Sequence, residues 1–275
     1  MFQAFLILSL VLFVLFLVPS KYRRYFAAGG WSFLGIFFVL FSFGHVAENE
    51  FIYPVAAVLS LPLFIITIAA SYSGNRTAFR ITTVAAVAFI VYSVIAPNQA
   101  ISEWLIRMQV DNTILALAMI GHPAAAPSRD CILSNGYGII ITFSCTPIVG
   151  TAVMLGMATG IDANLKQKIA AAGFVILSLA ALNIARLVFV VKAYSEQWFP
   201  YFTDFASGGF PGHESFFWAH NVIGRISFTF LAIILVGWGL TYFIPDLRKF
   251  YREILYFYYN GLKKISSCRF DMKDI

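Results

Sequence analysis

The sequence predicts an all-α, polytopic bundle of transmembrane helices, and three observations carry that prediction. Of its 275 residues, 60% are hydrophobic and only 12% are charged, against about 25% charged in a soluble domain. A surface made from so little charge cannot face water. The apolar residues gather into seven runs, approximately 2–19, 26–44, 52–72, 79–96, 139–160, 169–192 and 215–244, each near the ~20 residues that a helix needs to cross a bilayer. The basic residues fall in short clusters between these runs. The net charge of +6 is therefore membrane patterning and does not point to a nucleic-acid partner.

Each run has its own justification. The first has no basic residues ahead of it and no small-residue cleavage site, and its charges follow it. It reads as a retained span rather than a secretory leader. Lys21, Arg23 and Arg24 follow the first run, Arg76 and Arg80 the third, and Lys166 and Lys168 the fifth. Arg248, Lys249, Arg252, Lys263, Lys264, Arg269 and Lys273 follow the seventh. In a seven-span arrangement all of these lie on one side, which is the cytoplasm by the positive-inside rule. The other side receives Glu48, Glu50, Glu103, Asp111, Asp130, Glu196, Asp204 and Glu214, with Arg107 and Arg129 as its loop cations. The expected topology has the N-terminus outside and the C-terminus in the cytoplasm. An eighth span within 97–121 is the alternative, and it breaks this alternation.

Residues 1–245 read as one transmembrane domain, with no repeat and no linker. Residues 246–275 read as a basic cytoplasmic tail on the anionic inner leaflet, so membrane lipids are expected partners. Two longer segments face outward. In 97–138, "ISEWLIRMQ" can lie on the membrane surface with Trp104, Leu105 and Met108 inward. There Thr113–Ile120 is too short to span and reads as interfacial or re-entrant, and "GHPAAAPSRD" reads as loop. In 193–214, "FASGGFPGHES" reads as an exposed turn region. His45 and His122 read as solvated, His213 is a rival base on the exposed turn, and Cys268 reads as a cytoplasmic thiol.

Ionisable groups inside spans cost several kcal/mol and are functional candidates. Cys145 falls about six residues inside the outer end of the fifth run, and Arg186 and His220 hold matching positions in the sixth and seventh. At 1.5 Å per residue, each lies roughly 9 Å below the outer surface. A thiol, a guanidinium and an imidazole at one depth suit acyl transfer. The thiolate is the nucleophile, His220 can move its proton, and Arg186 can stabilise negative charge. Asn183 lies one helical turn before Arg186 and can orient it. Gly224, one turn after His220, allows a close helix approach. Pro147 leaves carbonyls ahead of it without an N–H partner, and "LSNGYGIIITFSC" suggests an extended entry to the span.

Each residue also has a plainer reading. Cys145 can be a small buried hydrophobe or the disulfide partner of Cys131. Arg186 can snorkel to the interface, and His220 can be a packing histidine. Arg225 is a rival cation, turned from His220 by about 140° on a helix. It is the shared depth of the three groups that favours a site. No metal motif is present and no cofactor is expected.

At these residues the chain resembles the exosortase/archaeosortase family. The family pattern is a Cys at the head of one span, Asn-x-x-Arg in the next and His-x-x-x-Gly-x-x-x-Phe in the one after. Here these are Cys145 in "FSCTPIVG", Asn183 and Arg186 in "LNIARLV", and His220, Gly224 and Phe228 in "HNVIGRISF". The motif core covers about 135–230. One departure is Cys145-Thr146-Pro147, where the family often has Cys-Ser-Gly; a proline offers no N–H to an oxyanion. The resemblance implies a membrane cysteine protease or transpeptidase acting at the outer face of the cytoplasmic membrane. It implies, as substrates, exported proteins that end in a short motif such as Pro-Glu-Pro, a transmembrane helix and a basic tail. It also implies an acyl-thioester on Cys145, assisted by Arg186 and His220, and an association with exopolysaccharide production. The rivals are a transporter of polysaccharide or lipid-linked sugar, with Arg186 and Arg225 binding phosphates, and a non-catalytic assembly partner of the same fold.

Overall fold

The computed structural model describes residues 2–44, 52–206, 210 and 212–267. His45, Glu48, Glu50, Cys268, Arg269 and Lys273 lie outside them, as do residues 207–209 and 211 of the expected glycine-rich turn. The elements in order are α1 (Phe2–Leu17), α2 (Arg23–Gly44), α3 (Ile52–Tyr72), α4 (Arg76–Ile95), α5 (Gln99–Met119), β1 (Ala125–Ser128), β2 (Cys131–Ser134), β3 (Tyr137–Ile140), a 3₁₀ turn (Phe143–Cys145), α6 (Ile148–Thr159), α7 (Leu165–Ser195), α8 (Thr203–Ala206), α9 (His213–Phe216), a π-helical turn (Phe217–Gly224), α10 (Arg225–Phe243) and α11 (Asp246–Ser266). Five helical stretches among the described residues are long and apolar enough to cross a membrane: Arg23–Gly44, Tyr53–Tyr72, Arg76–Ile95, Leu165–Ser195 and His213–Phe243. Gln3–Leu17 and Ile148–Thr159 are apolar but shorter.

The fifth apolar run is where sequence and structure differ most. Only its inner part is helical, as the 12 residues of α6. Its outer part is β3 and the 3₁₀ turn. Two local causes suffice. Ile139, Ile140, Ile141 and Thr142 are β-branched and favour strand. Pro147 has no N–H to donate and holds the residue before it in extended conformation, as Thr146 shows at φ −83° and ψ 158°.

The chain forms two compact units. The first comprises 1–90, 155–169 and 241–275. In it α2 turns a small-residue face, Ala27, Ala28, Gly30 and Gly35, inward. The Phe13 ring lies over Gly30 and the Phe64 ring over Gly35. Such small residues let apolar helices pack closely where the bilayer offers no hydrophobic drive. Gly156 of α6 lies against the Val84 carbonyl of α4 with no room for a Cβ. The 246–275 segment folds over most of its length as α11. Its Leu247, Phe250 and Gly261 are buried, Tyr258 shares a 2.9 Å hydrogen bond with Thr67, and Glu253 pairs with Arg80. Arg248, Lys249, Arg252 and Lys263 point outward.

The second unit comprises 91–154 and 170–240. It adds a three-stranded antiparallel sheet, β1-β2-β3, to the expected all-α class. The turn between β2 and β3 is Asn135-Gly136 at φ 50° and 83°, the dipeptide that tight hairpins favour because both residues must adopt positive φ. Ile132, Ile139 and Ile141 bury against Val110, Leu117, Leu187, Val190 and Val191. Thr113–Ile120 belongs largely to α5, a 21-residue helix capped by Asn98, whose side chain accepts from Ile101 N–H. It is therefore no separate short segment. "GHPAAAPSRD" contributes β1.

His122 is also corrected. It is buried, not solvated. Its Nε2 lies 2.9 Å from Ser134 Oγ and 3.1 Å from Ser195 Oγ, and its Nδ1 lies 3.3 Å from Glu196. It ties the end of α5 to β2 and to the end of α7.

Candidate active site

The three residues that the sequence places at one depth meet in the second unit. Cys145 closes the 3₁₀ turn, buried, with Sγ 3.9 Å from His220 Nε2 and 3.5 Å from Thr142 Oγ1. Arg186 Nη2 lies 3.2 Å from the same His220 Nε2. His220 Nδ1 lies 2.7 Å from Asn221 Oδ1. These partners fix the ring's protons. A carbonyl oxygen only accepts, so Nδ1 carries the N–H. A guanidinium only donates, so Nε2 presents its lone pair. That lone pair faces the thiol as well as Arg186, as a base for Cys145 requires.

The 3₁₀ turn is built by the stretch that departs from the family pattern. The carbonyl that Pro147 cannot serve, on Phe143, accepts the Thr146 N–H at 3.0 Å and the Thr146 hydroxyl at 2.7 Å. Pro147 in turn offers its own carbonyl to Thr151 N–H at 2.9 Å at the start of α6. Thr146-Pro147 thus ends the turn and begins the helix. The thiol is held outside a regular helix, in a buried but irregular backbone.

Asn183 is the link between the backbone of Cys145 and the cation. Its Nδ2 donates to the Cys145 carbonyl at 2.9 Å and to Gln109 Oε1 at 3.0 Å. Its Oδ1 accepts from Arg186 Nη1 at 3.2 Å. The Asn-x-x-Arg spacing puts both side chains on one face of α7, where residues three apart are neighbours.

His220 lies in the π-helical turn, Phe217–Gly224. Such wider turns recur at functional sites because they re-aim a side chain. The His220 ring stacks on Phe216, with centroids 4.9 Å apart and planes 9° off parallel. A Cβ on Gly224 would run into the Ala219 carbonyl and come within 3.4 Å of Val190. The glycine is therefore needed by the wide turn itself as well as by the approach to α7. Gly224→Ala is expected to destabilise the protein by about 1–3 kcal/mol, the usual cost of overpacking. A drop in the thermal unfolding midpoint of the detergent-solubilised protein would register it; an unchanged midpoint would show that the turn tolerates a methyl group.

Among the rival groups, Cys131 and Cys145 are both free cysteines, so no disulfide consumes the thiol. His213 is half-buried, edge-on to Tyr194 and tilted against Phe216, with centroids 6.1 and 5.0 Å away. Arg225 begins α10, after the π-helical turn that carries His220. No group of three or more His, Cys, Asp or Glu suited to a metal occurs among the described residues.

Thr142, Asn221 and Gln109 join the site without having been singled out in the sequence. Asn221 follows His220 directly, and no spacing marks it. Gln109 did have a signal. With Val110, Thr113 and Leu117 it forms a helical stripe at the period of a buried face, and all four are buried.

No family model and no solved structure matches the chain. Among curated proteins, Archaeosortase A of Natronomonas pharaonis is 22% identical over 257 residues, which cover 85% of this chain and 79% of that protein. Archaeosortase A of Haloferax volcanii is 24% identical over 128 residues, 45% of this chain and 42% of that protein. These two relatives support, for this chain, the exosortase/archaeosortase family that its Cys145, Asn183–Arg186 and His220–Gly224 motifs resemble.

Proposed function

We propose that this chain is a membrane cysteine transpeptidase that cleaves the C-terminal sorting signals of exported proteins. The observation that carries the reading is the position of His220 Nε2, 3.9 Å from the Cys145 thiol and 3.2 Å from Arg186. Cys145 is the nucleophile. His220 takes its proton as Sγ bonds to the scissile carbonyl carbon, and the carbonyl electron pair moves onto oxygen. The tetrahedral intermediate collapses by breaking the C–N bond, and His220 returns the proton to the leaving amine. The product is an acyl-thioester, later passed to an acceptor or to water.

Arg186 has two effects in this scheme. Its charged guanidinium donates to His220 Nε2 and so holds the ring beside the thiol. The same charge favours the thiolate and the oxyanion in a site poor in water. Asn183 positions Arg186 and fixes the carbonyl of Cys145. Gly224 supports His220 through the backbone.

In the proposed topology the chain crosses the cytoplasmic membrane seven times, with the shorter helices α1 and α6 added to the five long stretches. The N-terminus and the site are outside, and α11 lies on the inner leaflet. The substrates are exported proteins ending in a short motif, an apolar helix and a basic tail. A link to exopolysaccharide production rests on the family resemblance alone.

The test is co-expression with an exported reporter that carries such a C-terminal signal. Wild type should yield a shortened reporter. Cys145→Ala, Arg186→Ala and His220→Ala should leave it full-length. Normal processing by all three variants would end the proposal.

A further inference from the structure

The hydrogen bonds around Asn183 fix which end of the buried Gln109 amide is its donor. Arg186 can only donate, so the Asn183 atom facing it must be Oδ1. The Cys145 carbonyl can only accept, so the other Asn183 atom must be Nδ2. Nδ2 also faces the Gln109 amide at 3.0 Å, so the atom there must be Gln109 Oε1. An amide flip at either residue would set donor against donor. What remains is Gln109 Nε2, which has no hydrogen-bond partner among the described residues although Gln109 is fully buried. An unpaired buried donor is uncommon and calls for an explanation.

Its surroundings supply one. Gln109 lies on α5, which packs against the 3₁₀ turn that carries Cys145. Its amide is a single hydrogen-bonded residue, Asn183, away from the Cys145 backbone. Pro147, two residues past that turn, offers no backbone donor. Acyl transfer at a thiol needs donors set in advance for the oxygen that becomes negative, in a place where water does not compete.

We propose that Gln109 is a further catalytic residue whose Nε2–H donates to the substrate's scissile carbonyl oxygen, and to the oxyanion formed when Cys145 attacks. The inference rests on the transpeptidase reading above. The bonds made and broken are those given there; Gln109 adds a hydrogen bond and transfers no proton. Asn183 holds Oε1 and so aims the amide.

The test uses the full chain in membranes with the exported reporter, and compares Gln109→Glu and Gln109→Met with wild type and Cys145→Ala. Gln109→Glu keeps an oxygen for Asn183 and loses the donor. Gln109→Met keeps the bulk and loses both. Alkylation of Cys145 by iodoacetamide, which needs no carbonyl, reports whether the thiol and its base remain assembled. Both variants should process the reporter about 100-fold more slowly, the usual cost of one oxyanion donor. Gln109→Glu should be alkylated at the wild-type rate. Processing at the wild-type rate in either variant overturns the proposal. So does an equal loss of alkylation and processing in both, which would make Gln109 a packing residue for Asn183. Processing that persists in Cys145→Ala overturns the underlying reading instead.

Discussion

Cys145→Ala is expected to leave the reporter full-length. If Cys145 is the nucleophile proposed above, removing it from a site that works as a unit costs roughly 10⁶-fold in turnover, which takes processing below detection. The loss is chemical and not structural. The side chain contributes one small sulfur to the core around Val110, Leu187 and Val190, and replacing it with a methyl group should cost about 1 kcal/mol, typical of a single substitution. Expression level and thermal midpoint should therefore stay near wild type while cleavage disappears, as an immunoblot of reporter size against enzyme level would show. A polysaccharide transporter on this scaffold would tolerate the same change. Full processing with alanine at position 145 would place the chemistry elsewhere.

His220→Ala is the second large effect. It removes the group proposed to take the thiol proton and return it to the amine, a contribution worth typically 10²–10⁴-fold. It also leaves Arg186 Nη2 without the ring nitrogen 3.2 Å away. Arg186→Lys should behave similarly despite keeping the charge. The guanidinium reaches Asn183 Oδ1 with Nη1 and His220 Nε2 with Nη2, and one ammonium cannot reproduce that planar fork. Pulse-chase rates of reporter shortening would measure both. A rate within a few-fold of wild type for Arg186→Lys would reduce the role of Arg186 to charge alone.

Much of the site was legible because apolar spans act as rulers. Cys145, Arg186 and His220 lie at matching distances from the outer ends of three runs, and they do meet. Asn183 was legible for the same reason, since a spacing of three on a helix means one face. Legibility failed where the chain leaves the regular helix. The extended entry expected over "LSNGYGIIITFSC" is present as β3 and the 3₁₀ turn, but the strand pairing was not legible, because the strands are four residues each and the end of β3 runs into the fifth apolar run. The π-helical turn gives no periodic signature, and only Gly224 hints at it. His122 looked like a loop residue from its neighbours Gly121 and Pro123, whereas its burial depends on Ser195 and Glu196, some seventy residues later in the chain. Gln109 was hidden by its company, because Glu103, Arg107 and Asp111 make α5 read as a surface helix. Its inward stripe shows only when Gln109 and Thr113 are allowed to be polar residues of a buried face.

The most direct measurement is a search for the covalent intermediate. Wild-type enzyme mixed with the reporter in membranes should be denatured rapidly and analysed by mass spectrometry for an adduct on the peptide containing Cys145. The expected result is the N-terminal part of the reporter joined to Cys145 as a thioester, released by hydroxylamine and absent from Cys145→Ala. A shortened reporter formed equally by Cys145→Ala, with no hydroxylamine-sensitive adduct on the wild type, would contradict a nucleophilic role for Cys145.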